Sequence, residues 1–177
     1  MFFTSDDLIK LTPKQLASFA KSKREEITNL AMEHRNEINK RELNQDVSVF
    51  VDTILYIGKK IKRSKKMREN LRITFRYDHL GYTEVEAYFD ILESDREAIR
   101  KNRRKCVEKM GEQSTSWVWR KEEALYEESW KRVKKFAGEL LQGDKPNTIG
   151  TISFGMSGNT ASFDVSMYQC SEALRKM

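Results

Sequence analysis

Several things that usually announce a function are scarce in this chain. It holds only two cysteines, two prolines and two histidines in 177 residues. Cys106 and Cys170 stand far apart with no C-x-x-C pairing, which excludes a disulfide-rich scaffold and fits a reducing compartment. No run approaches the roughly 18 apolar residues of a transmembrane helix. Asp6 and Asp7 interrupt "MFFTSDDLIKL" before it can act as a signal peptide. The expectation is a cytoplasmic protein, or a nuclear one if its host has a nucleus, with no membrane partner.

Catalytic signatures are equally sparse. There is no Walker-type or G-x-G-x-x-G loop, and "GTISFGMSGN" is spaced like a hairpin turn rather than a phosphate cradle. No Ser, Cys or Lys has an evident activating neighbour. The carboxylates Asp78, Glu84, Glu86 and Asp90 follow one another along a single hairpin. Two of them face Arg76 and Thr74, which argues against a metal-dependent nuclease. Neither His34 nor His79 has a Cys or His at metal-ligand spacing, so the sequence gives no zinc site. His34 falls on an apolar helical stripe and reads as a buried residue, and His79 reads as a loop tip. A non-catalytic protein with no cofactor and no metal is expected.

What is present is core material and concentrated charge. Nine Phe, six Tyr and three Trp argue against disorder despite a charged fraction of 34%. A domain of this length buries roughly two-thirds of its unfolded surface and needs neither disulfides nor metal to fold. One domain over 1–177 is expected, with a semi-independent helical part over 1–57.

The net charge of +6 is unevenly spread. Residues 59–77 hold nine Lys or Arg against Glu69 alone. Residues 96–109 hold seven against Glu97 and Glu108. Outside both windows acids outnumber bases by seven. Concentration of this kind is what an electrostatic partner site requires.

Spacing predicts a first helix over 13–43. Thr12 caps it, Pro13 takes its first position and Gln15 completes a capping box. Leu16, Phe19, Ala20, Ile27, Leu30, Ala31, His34 and Ile38 form its apolar stripe. Residues 47–61 read two ways. Val47, Val49 and Val51 alternate as in a strand, while Val47, Val51, Ile54, Gly58 and Ile61 follow a helical face. The length of the pattern and a capping Asp46 favour helix.

Residues 71–89 predict a hairpin around His79-Leu80-Gly81, with Gly81 in the left-handed region. Tyr77 then pairs with Thr83, Phe75 with Val85, Ile73 with Ala87 and Leu71 with Phe89 on an apolar face. Arg76 pairs with Glu84, Thr74 with Glu86 and Arg72 with Tyr88 on the other. "SDRE" at 94–97 opens a helix to about 110. Another helix over 116–142 carries Trp119, Tyr126, Trp130, Val133, Ala137 and Leu140. A second hairpin over 149–167 turns at Gly158-Asn159. It pairs Met156 with Ala161, Phe154 with Phe163, Ile152 with Val165 and Gly150 with Met167. A short helix follows over 170–176. The fold class is α+β: two antiparallel hairpins in one small sheet, packed against about four helices.

In the first basic window Lys59, Lys60, Lys62, Arg63, Lys65, Lys66 and Arg68 spread around a helical wheel, so the segment is expected to project or meet a polyanion. Arg72 and Arg76 continue onto the hairpin. Arg100, Arg103 and Arg104 of the second window assist. Tyr82 and Tyr88 are candidates for stacking on unpaired bases, against the plainer role of cross-strand packing. "EEALYEESWKRVKKF" is explained by helix physics, through Glu127–Lys131 and Glu128–Arg132 pairs. These observations imply a nucleic-acid-binding protein that contacts phosphates, DNA or RNA, with little base readout. The alternative is a regulator or inhibitor, of the viral or phage accessory type, that docks its basic surface on an acidic protein. The sequence leaves the oligomeric state open.

Overall fold

Local capping sets where the helices begin. The computed structural model describes residues 1–34, 39–65, 68, 71–90, 97–98, 100–102, 104–105, 108, 124, 127–128, 131, 135, 153–154 and 160–177. Its elements run β1 (Phe2–Thr4), α1 (Ser5–Ile9), α2 (Pro13–His34), α3 (Lys40–Arg63), β2 (Leu71–Tyr77), β3 (Thr83–Asp90), β4 (Ser153–Phe154), β5 (Thr160–Asp164) and α4 (Met167–Arg175). Described residues between 97 and 108, and between 124 and 135, are helical. Ser94 to Arg96 and the tryptophans of the expected aromatic stripe lie outside the described residues.

The capping box at α2 forms as expected: Thr12 N–H donates to Gln15 Oε1 at 2.8 Å, and Gln15 N–H donates to Thr12 Oγ1 at 3.3 Å. The single helix expected over 13–43 is instead two. The Asn39 side chain accepts from the amides of Arg41 and Glu42 and starts α3 at Lys40, so Asp46 is an interior residue and not the cap. The helical reading of 47–61 holds. β1 and α1 were not anticipated, although Thr4 and Asp7 form a capping box there.

The sheet is antiparallel with strand order β1-β2-β3-β5-β4. The β2–β3 register agrees at all seven expected pairs, from Leu71–Phe89 to Tyr77–Thr83. The second hairpin lies in the same sheet but in a different register. Phe154 pairs with Ala161 and Ser153 with Ser162, two residues away from the expected pairing. A shift of two preserves the alternation of faces, so an apolar pattern alone cannot distinguish the two registers. Nor does the strand run to residue 167. Val165 N–H donates to Val85 O at 2.8 Å, Ser166 caps α4, and Met167 is helical.

α3 sits at the centre. Val47, Phe50, Val51, Ile54, Ile57, Gly58 and Ile61 are buried, and so are Thr53 and Tyr56 on its other side. Phe50 meets Phe75 and Tyr77 of β2 edge-on, at centroid separations of 6.1 and 6.3 Å. Phe3 of β1 stacks on Phe75 at 4.7 Å and meets Phe19 of α2 at 5.0 Å. The opposite side of α3 faces α4. There Ser171 donates to Asp52 at 2.6 Å, and Thr53 donates to the Met167 carbonyl at 3.3 Å. Cys170 is a free thiol buried at this seam, and burial pushes it up to about 12, which keeps it protonated and inert.

The hairpin loop is pinned from three directions. Asp78 Oδ1 accepts from the amides of Leu80 and Tyr82 at 2.8 and 3.0 Å. Gly81 has φ +82°, and a methyl group there would come within 2.7 Å of Leu43 and 3.1 Å of Ala31. The loop tip thus seats on the junction of α2 and α3. Gly81→Ala combines a left-handed penalty with overpacking and is expected to destabilise the fold by about 1–3 kcal/mol. A urea midpoint unchanged from wild type would show that the loop does not seat this way.

Candidate nucleic-acid interface

The basic window is not one projecting helix. Ile61 is fully buried, so α3 lies on the core through its last turn and ends at Arg63. Ser64 takes an extended conformation (φ −121°, ψ 108°) and breaks the helix. A short helical turn resumes, with Arg68 N–H donating to Ser64 O at 3.2 Å. The expectation of a helix basic on all sides fails because Ile61 and this break turn the residues to different directions.

The side chains divide accordingly. Lys59, Arg63, Lys65 and Arg68 are exposed, as is Arg72 on β2. Lys60 is half-buried with Nζ 5.6 Å from the Tyr56 ring centroid. Lys62 Nζ is shielded from solvent and has no hydrogen-bond partner among the described residues. Arg76 is exposed but shared between two acids, 3.2 Å from Glu86 and 3.7 Å from Glu84. Arg100 and Arg104 are exposed, and both are helical. Lys66 and Arg103 lie outside the described residues.

The α3 dipole accounts for part of this density. Lys60, Lys62 and Arg63 occupy its last turn, where cations are stabilised. That effect fades within one turn, so Lys65, Arg68 and Arg72 have no such explanation. Lys59, Arg63, Arg68 and Arg72 form no ion pair with a described residue.

The outer sheet face is of a different character. Tyr88 donates to Glu86 at 2.6 Å and accepts from Arg76 at 3.4 Å. The bond to Glu86, with burial, raises the Tyr88 phenol above its ordinary value. Tyr88 therefore closes a local network instead of offering its ring to a base. Tyr82 is 65% exposed and borders an open cleft of about 500 Å³ with Phe2, which is 74% exposed. Phe2 was missed because β1 was not anticipated. Asp78 and Glu84 line the same cleft, and so does Arg76, which is already paired with Glu84 and Glu86. Lys131 makes its close ion pair with Glu128 at 2.8 Å, and its ammonium is raised first by Glu128 and less by the expected partner Glu127.

His34 is exposed, contrary to its place on the apolar stripe. It is the last residue of α2, and its ring meets that of His79 edge-to-face at 5.2 Å. Among the described residues no group of three or more His, Cys, Asp or Glu is placed to hold an ion. No described helix is long and apolar enough to cross a membrane. No family model, curated protein or solved structure matches this chain.

A second polar cluster ties α2 to the sheet. Lys23 Nζ lies 2.7 Å from Glu26 Oε2 and donates to the Tyr77 hydroxyl at 3.1 Å, and Tyr77 donates to Glu26 Oε1 at 2.6 Å. Lys23 also stands 5.5–5.8 Å over the rings of Phe3, Phe19 and Tyr77. The Lys23 and Tyr77 bonds hold the Glu26 carboxyl below its ordinary 4.5. Burial pulls the Lys23 ammonium down, but its bonds to Glu26 and Tyr77 outweigh that and raise it above 10.5. Burial, then the bond to Glu26, raise the Tyr77 phenol. This closed triad is structural in form.

A depressed Glu26 stabilises the fold above its unfolded value of 4.5, and that contribution is lost as pH falls through its lower folded value. The raised Lys23 and Tyr77 act in the opposite sense, losing their contribution as pH rises above 10. Tyr77→Phe is expected to cost about 1 kcal/mol at neutral pH, since the cluster is partly solvated. Glu26→Gln should flatten the acid limb of a stability-versus-pH curve. An acid limb identical in Glu26→Gln and wild type would exclude this role.

Proposed function

We propose that this protein binds nucleic acid through phosphate contacts made by Lys59, Arg63, Lys65, Arg68 and Arg72. The reading is carried by one observation: exposed bases continue beyond the end of α3, where the helix dipole no longer stabilises them. Arg100, Arg103 and Arg104 extend the same electrostatic attraction from the second window. Arg76 contributes little, because Glu84 and Glu86 already neutralise it. Recognition is of backbone charge and shape, since no base-reading module accompanies these residues among those described. Catalysis is no part of this proposal.

Binding of nuclease-treated protein to short single- and double-stranded DNA and RNA tests it, at about 50 and 200 mM salt. With about four phosphates contacted on a duplex, log affinity should fall against log salt with a slope of about −3 to −4. A variant with Lys59, Arg63, Lys65 and Arg68 all changed to Glu should lose most binding, while Arg76→Gln should keep it. Absence of binding to all four ligands at the lower salt overturns the proposal. The same basic surface would then be examined as a docking site for an acidic protein.

A further inference from the structure

The only two histidines of the chain stand 45 positions apart in sequence yet touch in the fold. We propose that His34 and His79 form a binding site for a divalent transition-metal ion of the zinc, nickel or copper class.

The argument begins with geometry. An imidazole nitrogen about 2.05 Å from Zn²⁺ puts its ring centroid about 3.2 Å from the ion, so two rings at a tetrahedral angle stand about 5.2 Å apart. The His34 and His79 centroids are 5.2 Å apart, with ring planes at 82°. The separation matches that of two rings on one ion, and both imidazoles turn from their edge-to-face contact about their own side-chain bonds to present a nitrogen each. Neutral imidazole is the ligand type these ions prefer.

The scaffold around the pair is built. His34 closes α2, and His79 sits on the loop that Asp78 Oδ1 pins through the amides of Leu80 and Tyr82. Gly81 locks the same loop onto Ala31 and Leu43. Both histidines are exposed, so an ion reaches them from solvent without opening the core. Asp78 commits one carboxylate oxygen to the loop amides, and the described residues supply no third ligand. The remaining positions on the ion belong to water. The site is thus an exchangeable surface one, which clamps the end of α2 to the β2–β3 loop when occupied. It is independent of the basic surface and does not rest on the nucleic-acid reading.

Calorimetric titration of the full chain with ZnCl2 and with NiCl2 tests the proposal, comparing wild type with His34→Ala and His79→Ala. One ion per chain is expected, with affinity lowered at least about tenfold by either substitution. Proton NMR gives a second readout, because both imidazoles should shift together on addition of Zn²⁺. His34→Gln, checked by circular dichroism, covers any effect of alanine on the helix end. Failure of wild type to bind either ion, or binding by either variant as tight as wild type, overturns the proposal.

Discussion

The enclosure of α3 on two sides is the constraint on which the rest of this structure depends. Phe50 on one side enters an aromatic cluster with Phe3, Phe75 and Tyr77, while Thr53 and Tyr56 on the other side are buried towards α4. Leu16 of α2 lies so close to Gly58 that a methyl group there would come within 2.7 Å of it. A helix held this way carries most of its charge at its ends, and its one mid-helix charge, Asp52, accepts from Ser171 of α4. All its basic residues accordingly fall before Val47 or after Gly58, and the basic density after Gly58 begins as a consequence of burial in the middle.

Enclosure also explains why the basic residues separate. The last turn of α3 must bury Ile61, so Lys59 and Arg63 turn outward while Lys60 and Lys62 are drawn towards the protein. Beyond Ser64 the described bases Lys65, Arg68 and Arg72 are all exposed. On the sheet the opposite holds: Arg76 meets Glu84 and Glu86 across the β2–β3 ladder, and Tyr88 completes the network. Two neighbouring surfaces, both rich in arginine or lysine by composition, therefore differ in their electrostatics.

The β2–β3 loop couples these parts. Its seat at the junction of α2 and α3 needs Gly81 in the left-handed region and a carboxylate at position 78 that collects the loop amides. The same seat brings His79 to His34. The Lys23–Glu26–Tyr77 triad fastens the other partner of the junction, joining α2 to the last residue of β2. Aromatic packing and a part-buried polar network thus act on one interface, the first through area and the second through geometry.

By itself the sequence determined the α+β class, the α2 capping box, the helical nature of 47–61 and every pair of the β2–β3 ladder. Those features rest on local rules: capping chemistry, periodicity, and a short loop whose register a single glycine settles. The break before Lys40 was legible only in Asn39, a weak signal inside a continuous apolar pattern. The register of β4 on β5 was not legible, because a shift of two residues leaves both faces unchanged. Only the tertiary structure decided which bases face solvent, since that follows from what α3 packs against. It alone brought His34 out of its expected burial and onto His79, because contact between residues 45 positions apart is set by how a loop seats on a helix junction.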